Sequence, residues 1–260
     1  MKISFLPLLA SGALFCASNV FAQPDAQFNH DFDLADRRAT EFVVQLRCAQ
    51  QMAGIRARGG FGAADTLGFT GQCIRHGGSY IGIYLDLDSA STRHVRFSAV
   101  NLTQRTPHAE PLDTAAVVAA ARARRDALVR GGRTMGRRFA PFILRTDADS
   151  LEVWLMPLSI VTGEPLSSGG ERGYAYSADG RTVIRTVDAV AVFETITAGP
   201  TDQITIVRRN ARLPLLSDLL VANLLLQQGR AVNIELAQVT STLVNPAAGG
   251  AWIHTKRTIR

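Results

Sequence analysis

The chain opens with a long stretch free of charge. Ile3 to Val20 is apolar or small throughout, Lys2 precedes it, and Val20-Phe21-Ala22 follows as an A-x-A-like site. A basic start, an apolar run and a small-residue cleavage site are the three parts of a secretory signal peptide, so residues 1–22 are expected to be removed after Ala22. A membrane anchor is the competing reading, since the uncharged run from Ile3 to Pro24 is long enough to span a bilayer. Pro7, Ser11, Gly12, Ser18 and Asn19 interrupt that run, and no basic stop-transfer cluster ends it. A lipoprotein is disfavoured as well, because Phe15 stands where acylation at Cys16 needs a small residue.

Beyond the leader the pattern switches to helical spacing. Gln23 to Asp31 is polar and reads as a loose lead-in. Ala39, Phe42, Val43, Leu46, Ala49 and Ala53 recur at three- and four-residue steps, which predicts a helix from Asp33, as cap, to about Arg56. Arg58 to Gly78 carries seven glycines and is expected to lack regular structure. Tyr80 to Asp88 alternates as a strand, Ser89 to Thr92 turns the chain, and His94 to Leu102 returns. An Ala-rich helix is predicted over about Asp113 to Arg130.

From Arg138 the pattern becomes that of hairpins. Phe139–Arg145 and Leu151–Leu158 flank Asp147-Ala148-Asp149. After a polar Gly/Ser loop over Thr162–Gly173, Tyr174–Ser177 and Thr182–Val187 flank Asp179-Gly180, the strongest hairpin signal in the chain. Val190–Thr197 and Gln203–Arg208 are expected to pair about Ala198-Gly199-Pro200-Thr201. Leu215 to Gln228 is apolar around most of its circumference and predicts a buried helix. Ala231–Leu243 and Ala251–Ile259 close the chain as strands. The predicted class is α+β, mainly antiparallel strands with about three helices. The predicted divisions are a leader over 1–22, an N-terminal part over 23–135, and a β-rich part over 136–260. The boundary near Arg133–Arg137 separates two domains or two halves of one fold.

Composition changes this picture in two places. Net charge is +6, and of 28 basic residues only Lys2 and Lys256 are lysine. The arginines cluster late in the second predicted helix, so Arg122, Arg124, Arg125, Arg137 and Arg138 form a candidate surface for an anionic partner. Their bland reading is favourable pairing with the helix dipole. Loss of the leader leaves two cysteines, Cys48 and Cys73. An even count in an oxidising compartment predicts a disulfide, pinning the Gly-rich segment to the first helix. The protein is therefore expected in a bacterial periplasm or secreted, with no membrane span after cleavage.

Most catalytic chemistries find no motif. Lys256 is the one lysine after cleavage and no S-x-x-K exists, which removes Ser–Lys machinery. Gly77-Gly78-Ser79-Tyr80-Ile81 fails as a nucleophile elbow at its last position. His30, His76, His94, His108 and His254 are too widely spaced for H-E-x-x-H or H-x-H. No metal or other cofactor is expected. Carboxylate pairs stay open, with Asp86 and Asp88, Glu164 and Glu171, and Glu194 and Glu235 as candidates.

The order of hairpin, strand, loop with Pro214, Ser217 and Asp218, buried helix and strand pair loosely resembles the scaffold of the JAMM metalloproteases, over about 70 residues. That family's motif is H-x-H-P followed by P-S-x-x-D. Pro214 and Asp218 have the matching spacing, Ser217 stands at a different position, and Arg208, Arg209 and Asn210 occupy the place of the histidines. The resemblance implies an echo of architecture and no zinc site.

The reading that follows is an exported, non-catalytic binding protein of the cell envelope. Its partner is expected to be an anionic envelope component or another protein, with no nucleic acid. A carboxylate-dependent hydrolase of envelope polymers and a structural or assembly partner are the alternatives.

Overall fold

A computed structural model describes residues 24–57, 70–76, 79–87, 94–101, 106–107, 111–135, 139–147, 150–157, 167–187, 193–196, 203–244 and 250–257. The expected leader over 1–22 lies outside them, as do Asp88, His108, Arg137, Arg138 and Glu164.

The fold is α+β, with three helices among the described residues. Helix α1 runs Ala26–Ala57, seven residues earlier than its predicted start at Asp33. Asp25 is the cap, accepting from Phe28 N at 2.6 Å, and Phe28 and Phe32 carry the apolar stripe back two further turns. Both rings are buried, along with Ala39, Phe42, Val43 and Leu46. Helix α2 runs Thr114–Met135 and is capped by Asp113, which accepts from Ala116 N at 3.0 Å. It passes through Gly131, past its expected end at Arg130. A Cβ at Gly131 would collide with Leu155 Cδ1, so glycine here lets helix and sheet approach.

The first sheet has the order β1 (Thr70–His76), β2 (Ser79–Leu87), β3 (His94–Asn101), β4 (Thr106–Pro107). Strand β1 corrects the expectation of an unstructured Gly-rich segment. It pairs antiparallel with β2 from Thr70↔Leu85 to His76↔Ser79. Ile81 and Ile83 fall on the buried face of β2, as the alternation predicts.

The second sheet has the order β5 (Phe139–Asp147), β6 (Ser150–Pro157), β8 (Arg172–Ser177), β9 (Val183–Val187), all antiparallel. It lies between two helices. Phe142, Leu144, Trp154 and Met156 face α1. Leu151, Val153, Leu155, Tyr174 and Tyr176 face the small residues Ala119, Ala123 and Ala127 of α2. The Asp179-Gly180 turn forms as expected between β8 and β9, with Gly180 at φ 70° and its N–H donating to Ser177 O at 2.8 Å. A Cβ there would strike Ala119 O of α2. At the sheet's other edge Gln45 of α1 substitutes for a neighbouring strand. Its amide donates to Ile143 O at 2.6 Å and accepts from Ile143 N at 3.0 Å.

The third sheet has the order β11 (Gln203–Arg208), β12 (Ala231–Leu236), β13 (Val239–Val244), β14 (Ala251–Lys256). Its first pair is parallel, Gln203↔Ala231 to Arg208↔Leu236, because helix α3 (Leu216–Leu226) crosses between the two strands. The expected pairing of Val190–Thr197 with Gln203–Arg208 does not form among the described residues, where the two segments belong to different sheets. Strand β10 (Phe193–Thr195) pairs instead with β7 (Ser167–Gly169), which arises within the predicted Gly/Ser loop. Helix α3 is buried as expected: Leu219, Leu220, Val221 and Ala222 have no exposure. Helix α1 packs on α3 and on both later sheets, so residues of 23–135 and 136–260 share one core.

Candidate functional site

The densest buried polar cluster among the described residues sits where β11 ends and α3 begins. In a strand–helix–strand crossover this is where ligands gather, since strand carboxyl ends and helix amides converge there. Leu215 is the N-cap of α3 and has no side-chain acceptor. Three first-turn N–H groups are met by other means. Asp218 returns to Leu215 N at 3.0 Å. Glu171, just before β8, accepts from Leu216 N at 3.0 Å and from Ser217 N at 2.7 Å. A carboxylate is thus seated on the positive end of the helix.

Arg208, the last residue of β11, joins the helix to the β7–β10 ribbon. Its Nε and Nη2 donate to the two oxygens of Asp218 at 3.0 and 2.9 Å, a bidentate pair. Nη2 also donates to Ser168 Oγ of β7 at 3.0 Å. Ser168 in turn donates to Asp218 Oδ1 and lies 3.2 Å from Ser217 Oγ, which accepts from Gly169 N at 2.9 Å. The outward nitrogen, Nη1, meets Glu194 of β10. Burial falls off steeply across this line. The side chain of Asp218 is 0% exposed, that of Arg208 10%, and that of Glu194 48%.

Burial pushes the Glu171 carboxyl above the ordinary range, against the hydrogen bonds from Ser217 and Leu216 that favour its ionised form. Burial also pulls down on Arg208, but the hydrogen bond and charge of Asp218, then of Glu194, hold its guanidinium above the ordinary value.

The other candidates lie elsewhere. Cys48 of α1 and Cys73 of β1 stand at disulfide distance with Cα atoms 6.2 Å apart, inside the usual range for a bridge. Arg122 and Arg124 are about 200° apart around α2 at about 100° per residue. Arg124 is half-buried, and burial draws its guanidinium down to about 10. Arg122 and Arg125 therefore share a side of the helix that Arg124 leaves. Glu235 lies on the open face of the third sheet, paired with Arg209 and Arg257 at 3.1 and 3.9 Å. His254 Nδ1 lies 2.9 Å from Ser241 Oγ. That serine is fully buried, and the rings of Phe28 and Phe32 pack edge-on against the imidazole. It anchors the histidine and is closed to substrate. Among the described residues no group of three or more His, Cys, Asp or Glu could hold a metal, and no helix is long and apolar enough to cross a membrane.

Ser168 carried no signal in the sequence. Arg208 and Asp218 were visible only through the JAMM-like spacing, and their pairing was not. The legible clue was the Leu at the helix start, which obliges other residues to satisfy the first turn. No family model, curated protein or solved structure matches the chain.

Proposed function

We propose that this chain is an exported, non-catalytic binding protein of the cell envelope. The observation that carries the reading is the closure of its polar centre. Asp218 is matched by Arg208, Glu171 by two helix amides, and Ser168 by Arg208 and Asp218. Ser168 and Ser241 each have a base within reach, Asp218 and His254, but both serines have no exposure and Arg208 holds the Asp218 carboxylate. A glycosidase needs two carboxyl groups facing a cleft. Here the buried carboxylates point into the fold and hold it together. Export is supported by the leader sequence and by the Cys48–Cys73 geometry.

The test is cosedimentation of the Gln23–Arg260 form with purified peptidoglycan, lipopolysaccharide and outer-membrane vesicles. Saturable binding to one of them, without change in its chemical composition, is the expected result. Cleavage products that vanish in Glu171→Gln would overturn it in favour of the carboxylate hydrolase. Glu171 is the residue to vary because burial shifts its carboxyl upward, the direction in which a general acid is tuned.

A further inference from the structure

We propose that the outward Nη1 of Arg208 is a receptor for a carboxylate of the partner, and that Glu194 occupies it in the free protein. This rests on the binding function proposed above and names the chemistry of one contact. The guanidinium plane is fixed from behind, since Nε and both hydrogens of Nη2 are taken by Asp218 and Ser168. Nη1 is the remaining donor nitrogen, held in place by the fixed plane, and it meets the half-exposed Glu194. The group it meets is the least anchored member of the cluster. Glu194 is half exposed, and its strand is three residues long and pairs with another three-residue strand. Among the described residues its ion pair is with Arg208. Only the Glu194 half of the pair is exposed, and Asp218 holds Arg208 through Nε and Nη2, so a ligand carboxylate can take the place of Glu194 at Nη1 without disturbing the Asp218 pair. The exchange conserves charge and requires no proton transfer. The site lies at the carboxyl end of β11 beside the start of α3, the position at which strand–helix–strand crossovers commonly take ligands.

The experiment is titration of the Gln23–Arg260 protein and its Glu194→Gln variant with acetate, and with a short neutral peptide bearing a free C-terminal carboxylate. The amidated peptide is the control. The Arg208 Nε–H resonance is the readout. The expected result is saturable movement of that resonance, with about two- to fivefold tighter binding in Glu194→Gln, the gain from removing an internal competitor. Binding of the free-acid peptide far above acetate would assign a protein terminus as the source. Equal binding per carboxylate would assign a small acid. Equal affinity in the two proteins, or no movement of the resonance, overturns the proposal. Envelope binding that persists in that case would leave the proposed function standing, and its absence from the outset would remove the function by a separate measurement.

Discussion

Glu171 and His254 make opposite demands on pH at the level of single residues. Burial holds the Glu171 carboxyl above its ordinary value, so the folded chain binds that proton more tightly than the unfolded chain does. Its contribution is complete below the ordinary Glu range of about 4.3 and is lost as pH rises through the folded value. Burial holds His254 below its ordinary value, against the nearby charges of Asp33 and Asp36. Its contribution is present above about 6.5 and is lost as pH falls through the folded value. Urea unfolding across pH 4 to 8 should show the first slope in the wild type and its absence in Glu171→Gln. The same variant should lose about 1–3 kcal/mol, because its amide can accept only one of the two helix N–H bonds. An unchanged slope would contradict the assignment. Gly180→Ala should also be costly, by about 1–3 kcal/mol, since it places a side chain at positive φ and against Ala119 O. Thermal unfolding measures that loss, and a neutral result would mean that turn and helix are not in contact.

At the scale of elements, Gln45 and Phe32 decide where α1 sits. Gln45→Leu should cost about 1–3 kcal/mol by leaving both polar groups of Ile143 unpaired at the β5 edge. Faster hydrogen exchange at the Ile143 amide is the specific readout. Phe32→Ala should cost about 3–5 kcal/mol, as a fully buried ring held against Trp252 and His254. Local signals made most elements legible. The alternation at Ile81 and Ile83, the Asp179-Gly180 turn and the apolar α3 all formed where their patterns lie. Three expectations failed for identifiable reasons. Asp33 and Asp25 are equally good caps, and only the contacts of Phe28 and Phe32 with β14 select the earlier one. The glycines around Cys73 suggested a loop, yet pairing with β2 supplied the order that local propensity lacked. The turn at Ala198–Thr201 suggested a hairpin, whereas the α3 crossover gave β11 a parallel neighbour in β12. The polar cluster was illegible for a related reason. Ser168 and Asp218 are 50 positions apart, and no local pattern encodes such a pairing.

For the whole molecule, α1 is the member on which the rest converges. It packs against the second sheet, α3 and the third sheet, and Cys48 near its C-terminal end meets Cys73 of the first. In the chain-entropy picture a bridge closing a loop of this length contributes about 3 kcal/mol. Reduction should therefore lower the midpoint of urea unfolding. The polar lock at Arg208 then fastens the β7–β10 ribbon to a scaffold already held by apolar burial. The proposed recognition contact is at the exposed side of that lock, where Glu194 meets Arg208.

The export and oxidation on which this account depends are read together by one measurement, the intact mass of the unreduced protein recovered from fractionated cells. The account predicts a periplasmic or secreted species that begins at Gln23 and is about 2 Da lighter than its reduced form, the two thiol hydrogens lost when Cys48 and Cys73 join. A full-length cytosolic species with both thiols free would contradict it.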